Sequence, residues 1–214
     1  YEYWGRAASM IHTSADGTQD AALPPETRIY LLAAGQHGVA PFPPSRTIGQ
    51  NLNNPLDYRW VMRSLLLSMN RWVADGTAPP DSRYPRIADG TLVAPGKLAF
   101  PRIPGIAVPA VPHLAYHADY GPDFISKGIV TQEPPRIGKA FPILVPQVDA
   151  DGNELAGVRI PELSVPVATY TGWNLFNERS GPTDVVSSMQ GSFVPFAASK
   201  SERSTSVVSS TGGT

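Results

Sequence analysis

The sequence predicts an α/β protein built on a mostly parallel sheet, and three observations carry that expectation. Residues 29–34 form a continuous rather than alternating apolar run, the pattern of a strand covered on both faces. One amphipathic segment precedes the run and a longer one follows it, the order of an αβ unit. The run ends in Gly35-Gln36-His37-Gly38, and a glycine-flanked turn at a strand end leaves its one large side chain uncovered.

Taken in order, Tyr3 to His12 reads as a helix, with Trp4, Ala7, Ala8 and Ile11 on one face, Glu2 at the N-terminal end and His12 at the C-terminal end, each where the helix dipole favours it. Residues 13–25 read as loop, with Asp16-Gly17 as a turn. Thr27 to Ala34 is the strand. After a loop containing Pro41, Pro43 and Pro44 comes the strongest helix signal, from Asn54 to about Ala74. Asn54 suits the N-cap, Pro55 the first helical position, Asp57 the first turn, and Gly76 follows the end. Its stripe Val61, Leu65, Met69 and Trp72, widened by Tyr58, Met62 and Leu66, has the spacing of a core-packing face.

Residues 77–138 are interrupted by prolines every few positions, yet Phe100, Ile103, Ile106, Val108, Val111 and Tyr116 recur among them. The expectation is an ordered, extended excursion packed on the domain. Residues 141–160 predict a β-hairpin turning at Asp151-Gly152, with its prolines placing it at an edge. Asp149, Asp151 and Asn153 do not make a calcium loop, because the glycine comes too early and no Glu stands at the twelfth position. The Ser/Thr/Gly-rich stretch 204–214 predicts a disordered tail.

Composition bounds the function. The 214 residues carry a net charge of −1, without a basic stripe, so nothing selects for nucleic acid or an anionic membrane surface. There are no cysteines, which removes thiolate metal sites and Cys nucleophiles. No apolar run reaches the ~18–20 residues of a membrane span. The 23 prolines and 19 glycines predict a loop-rich backbone. The first residues lie inside amphipathic sequence without an initiator Met, so the start reads as a cut, with any targeting segment upstream.

His37 is the candidate general base, the alternative being a turn histidine that only hydrogen-bonds the backbone. A base needs an acid to orient it. Glu2, one helix upstream, is the leading candidate, against an i,i+4 salt bridge to Arg6; Asp20 is a weaker one. His12 reads as structural. His113 and His117 have an i,i+4 spacing that would suit a metal on a helix, but the surrounding prolines argue against a helix there and no carboxylate signature accompanies them. The nucleophile is missing. Gly-x-Ser-x-Gly occurs nowhere, and Gln190-Gly191-Ser192-Phe193-Val194 lacks the second glycine and follows the His.

Several separate motifs then meet in one order: Glu2-Tyr3-Trp4-Gly5-Arg6-Ala7-Ala8-Ser9, Gly35-Gln36-His37-Gly38, Asn53-Asn54-Pro55-Leu56-Asp57, Ser82-Arg83-Tyr84-Pro85, Val148-Asp149-Ala150-Asp151-Gly152-Asn153-Glu154 and Ala168-Thr169-Tyr170-Thr171-Gly172-Trp173-Asn174. Together they resemble the C-terminal third of a large, poorly characterised bacterial family of α/β hydrolase domain proteins, over roughly residues 1–203. The resemblance implies the last strands and helices of an α/β-hydrolase fold, with Glu2 as the acid, His37 as the base, a Ser in an elbow upstream of Tyr1, and no cofactor. Chain order agrees, since Ser, acid and His follow one another in such enzymes. It makes a small-molecule carboxylic ester the default substrate and the N-terminal part of the same domain the missing partner. Members are often exported, which would be encoded upstream. The pattern gives way after Ser201-Glu202-Arg203.

The expectation is therefore the C-terminal portion of a serine α/β hydrolase, inactive by itself. One rival is a non-catalytic binding or packing module that uses the Pro-rich excursion and the Asp151-Gly152 turn as its contact surface. The other is a metal hydrolase using His113 and His117.

Overall fold

A computed structural model describes residues 1–197 and 199. Apart from one 17-residue helix its elements are short. In chain order they are α1 (Glu2–Gly5), β1 (Leu52–Asn53), α2 (Arg59–Asp75), β2 (Leu92–Val93), β3 (Tyr116–Asp119), α3 (Phe124–Lys127), β4 (Arg136–Ala140), β5 (Val145–Pro146), α4 (Pro161–Ser164), β6 (Ala168–Thr171) and β7 (Ser192–Pro195). Single 3-10 turns lie at Ala8–Ile11 and Pro95–Lys97. The predicted tail 204–214 lies outside the described residues.

The mostly parallel sheet is not what these residues form. A three-stranded sheet runs in the order β1-β7-β6, with β7 antiparallel to both neighbours, and β2–β5 and β3–β4 are separate antiparallel pairs. Among the described residues parallel pairing is limited to two bridges, Tyr30 with Arg83 and Leu32 with Val158, both on the stretch expected to be the central strand. The physical reason is that its partners are single extended residues in irregular chain, so the ladder never extends beyond one rung with each.

The apolar run nevertheless occupies the position that its pattern implies. Leu31 packs against a cluster containing Tyr1, Trp4, Leu144, Val145 and Trp173. Leu32 packs against a second one, with Ala33, Ala34, Leu56, Val61, Leu163 and Tyr170. Alternate side chains of an extended chain leave on opposite faces, so the run is the partition between two cores.

Four other expectations are corrected. The helix expected over 3–12 is broken into α1 and a 3-10 turn, because Ala7 is left-handed (φ 54°). The break leaves Ile11 66% exposed while Trp4 stays buried. Helix α2 begins at Arg59, not after an Asn54 cap, because the Asn54 side chain is committed elsewhere. It does end on a left-handed Gly76, as expected. Its apolar stripe is not core: only Val61 is buried, and Met62, Leu66, Leu67, Met69 and Val73 are exposed. The hairpin 141–160 survives only at its tip, where Val148 bridges Glu154; β5 pairs instead with β2, and Val158 leaves to bridge Leu32.

The Pro-rich excursion divides in two. Ile87, Leu98, Phe100 and Ile106 pack on the first core. Strands β3 and β4 form an arm exposed along its whole length. Among the described residues no helix is long and apolar enough to cross a membrane.

Candidate functional site

His37 and Glu2 meet. The His37 Nδ1 lies 2.6 Å from Glu2 Oε1, with the two side chains 52% and 44% exposed. Glu2 reaches it from the first turn of α1, and the Tyr1 ring stands edge-on to the imidazole at 6.4 Å. The anticipated Glu2–Arg6 salt bridge does not form: Arg6 instead donates to the Gly5 carbonyl and lies over the Tyr1 ring. A carboxylate at Nδ1 favours the tautomer that carries its proton there and leaves a lone pair on Nε2. Nε2 has no hydrogen-bond partner among the described residues.

The pair opens onto a cleft of about 320 Å³ lined by apolar surface from Tyr1, Ile29, Leu32 and Met62 among others. Apart from the Glu–His pair, no charged residue lines it. An uncharged, largely apolar molecule is what such walls accommodate.

The turn carrying His37 is held from several directions. The Tyr58 hydroxyl lies 2.8 and 2.7 Å from the Gln36 and His37 carbonyls. The buried Gln36 side chain accepts hydrogen bonds through Oε1 from the Asn54 N–H (3.1 Å) and the Gly191 N–H (2.8 Å), and its Nε2 donates to the Gly38 carbonyl. Buried Asn54 donates from Nδ2 to the carbonyls of Ala34 (2.6 Å) and Thr171 (2.9 Å). The Tyr1 nitrogen donates to the Gly35 carbonyl (2.7 Å).

The left-handed residue of the turn is Ala34 (φ 55°), not either flanking glycine. Glu154 offsets that strain: its Oε2 accepts the Ala34 N–H at 2.6 Å. Burial pushes the Glu154 carboxyl pKa up, against the downward pull of the Ala34 N–H and Arg159. Close packing explains glycines elsewhere. A Cβ at Gly172 would lie 2.4 Å from the Tyr1 nitrogen, and one at Gly191 would lie 2.2 Å from the Thr171 carbonyl oxygen. Nothing in the structure explains the identity of Gly38, whose Cβ position is open.

The remaining sequence candidates fall away from this site. Asp20 accepts the N–H groups of Ile87 and Ala88 and pairs with Arg86. His12 is fully buried, with Nε2 2.7 Å from the Tyr3 hydroxyl; burial lowers its pKa and raises that of Tyr3. His113 donates its backbone N–H to the Trp4 carbonyl, and His117 stacks on Phe141 at 3.8 Å. His117 lies on β3 and His113 in irregular chain before it, so no helix stacks the two on one face. Among the described residues no group of three or more His, Asp or Glu is placed to hold a metal. Asp149, in the rejected calcium loop, accepts the Asp151 and Asn153 N–H groups and pairs with Arg159.

Sequence reasoning missed Gln36, Asn54, Tyr58 and Glu154 as the supports of the turn. Each stands in or beside a motif that was noticed, but the bonds they make span up to 155 residues and have no local signature.

The sequence model of one protein family, described as Alpha/beta hydrolase domain, matches residues 6–204. The matched span includes His37 and Glu154 and begins after Glu2. No curated protein and no solved structure matches the chain.

Proposed function

The chain belongs to the alpha/beta hydrolase domain family, and from that premise we propose that it is the C-terminal portion of a serine hydrolase of carboxylic esters. Its triad would be Glu2, His37 and a Ser supplied by the segment preceding Tyr1. The observation that carries this reading is the 2.6 Å pairing of Glu2 with His37 Nδ1 at the mouth of an apolar cleft.

In the first step, His37 Nε2 takes the Ser proton as Oγ adds to the ester carbonyl. Glu2 holds the imidazolium in place and stabilises its charge without taking the proton. His37 then gives the proton to the leaving alkoxide, the ester C–O bond breaks, and an acyl-serine remains. Water, deprotonated by His37, adds to that acyl group and releases the carboxylic acid, and the proton returns to Ser. The oxyanion donors belong with the upstream elbow. The apolar, uncharged walls favour a neutral ester over a charged substrate.

The test is hydrolysis of short-chain p-nitrophenyl esters by the longer protein. His37→Ala should lower kcat by on the order of 10⁴-fold or more, with the fold retained by circular dichroism. Glu2→Gln should cost about 10³–10⁴-fold, because the amide favours the wrong tautomer. The 214-residue chain by itself should show no turnover. Unchanged turnover in His37→Ala overturns the triad.

A second reading, a non-catalytic contact module, draws on the exposure of the β3–β4 arm, whose Tyr116 and Ile137 face solvent. It predicts that neither His37→Ala nor Glu2→Gln changes any ester turnover the longer protein has.

A further inference from the structure

Among the described residues, strands β3 and β4 form a two-stranded ribbon that pairs with no other strand. Its root is tied to the body by the His113 N–H, which donates to the Trp4 carbonyl (2.7 Å). Residues directly opposite across a ribbon share a face, as do residues two apart on one strand. Tyr116 pairs with Ala140 and Ala118 with Ile137, so these four stand on one face. Asp119 pairs with Arg136 on the other. A Cβ at Gly138 would lie 3.2 Å from the His117 Cβ, which puts both residues on that second face.

The two faces differ in what they leave open. On the second, His117 stacks on Phe141 at 3.8 Å, and Arg136 lies 3.6 Å from the Asp119 carboxylate. The first holds a tyrosine, two alanines and an isoleucine, and all four are exposed, Ile137 at 67%. Both ends of the arm are apolar as well: Val111 and Leu114 are exposed at the root, Ile125 and Ile129 at the tip. A lone two-stranded ribbon is marginal in water, and an uncovered apolar face on one marks a contact surface.

The charges say what covers it. The arm, residues 113–141, carries three acids and three bases, so it selects neither a polyanion nor a polycation. Asp123 pairs with Lys127 and Asp119 with Arg136. That leaves Glu133 near the tip and Lys139 near the root without an ion pair among the described residues. A free acid at one end and a free base at the other complement each other when two identical arms lie antiparallel, tip against root. The same arrangement sets the exposed isoleucines of each tip beside Val111 and Leu114 of the other root.

We propose that the β3–β4 arm joins two copies of this chain. The face bearing Tyr116 and Ile137 packs on the same face of a second copy about a two-fold axis, with Glu133 of each arm meeting Lys139 of the other. The inference goes beyond the hydrolase reading and does not depend on it, since such an arm joins two enzymes or two contact modules alike.

Sedimentation equilibrium of the 214-residue chain tests it. The parent should be a dimer at micromolar concentration. Ile137→Asp should keep the circular dichroism of the parent and raise the dissociation constant at least about 100-fold, because the site occurs twice in the dimer. Glu133→Lys and Lys139→Glu should each weaken the dimer about 10-fold, and the two together should restore it to within about 3-fold of the parent. A parent that stays monomeric up to about 100 µM overturns the proposal; if that monomer floats with phosphatidylcholine vesicles and Ile137→Asp does not, the face belongs to a lipid surface instead. A dimer that survives Ile137→Asp also overturns it, and loss of that dimer in Leu66→Gln moves the contact to α2. A double charge reversal that recovers none of the lost affinity overturns the antiparallel pairing and the proposal with it.

Discussion

The turn at residues 34–38 and helix α2 are opposites. The turn has no regular structure and contains a left-handed alanine, yet bonds from Tyr1, Asn54, Tyr58, Glu154 and Gly191 converge on it. Helix α2 is the most regular element described, 17 residues with a glycine cap, and only Val61 is buried. Backbone regularity and tertiary fixation are separate properties. A helix can be written by spacing and caps alone, whereas a posed side chain needs groups delivered from elsewhere in the chain.

The largest effect on stability is expected where the turn is held. Asn54→Ala leaves the Ala34 and Thr171 carbonyls without their buried donor and removes the acceptor for the Leu56 N–H. It should cost about 2–4 kcal/mol by urea denaturation. A cost below about 0.5 kcal/mol would mean that the turn is not fixed by these bonds.

Glu154 gives a smaller, pH-dependent effect. Its folded pKa is raised by burial above the unfolded value. Between those two values the folded state holds a proton that the unfolded state has lost, so stability falls as pH rises through that window and levels off above the folded pKa. Glu154→Gln keeps an acceptor for the Ala34 N–H and removes the buried charge. It should match the parent below the unfolded pKa and be the more stable of the two at higher pH. Melting curves from pH 4 to 8 measure this, and a constant offset across that range would contradict it.

The smallest effect belongs to α2. Leu66→Gln and Val73→Gln should change the stability of this chain by no more than about 0.5 kcal/mol each, as exposed positions do. In the longer protein the same substitutions should cost about 1.5–3 kcal/mol each if the face is covered. Equal effects in both would break the contrast between a pinned turn and a helix with an exposed apolar face.

What was legible in the sequence follows the same division. The body of α2 and its Gly76 end were readable, because spacing and a left-handed glycine are local. So was the position of residues 29–34, since a continuous apolar run needs cover on both sides, and Leu31 and Leu32 find it in different cores. Glu2 and His37 were brought forward as partners and lie 2.6 Å apart; their roles rest on the kinetic test. The break at Ala7 was not readable, because no residue type announces a left-handed alanine. Asn54 was misread as a helix cap: the residue type suits a cap equally well, and only distant carbonyls show where its amide goes. Glu154 looked like the end of a turn motif, and its carboxylate serves a residue 120 positions away. The α2 stripe reads as core because periodicity reports that a face is apolar, not what lies against it.

The Gln36 amide has a kinetic consequence. Its oxygen joins Asn54 and Gly191, contacts separated by 18 and 155 residues, and the neighbouring Glu154 bond closes 120 more. Loops of that size close late, after the local elements have formed. The imidazole therefore acquires its pose at the end of folding rather than with its own turn. A lesion anywhere along the span between Gln36 and Gly191 can disorder the base without touching it, so mutations that abolish activity should be scattered over much of the chain.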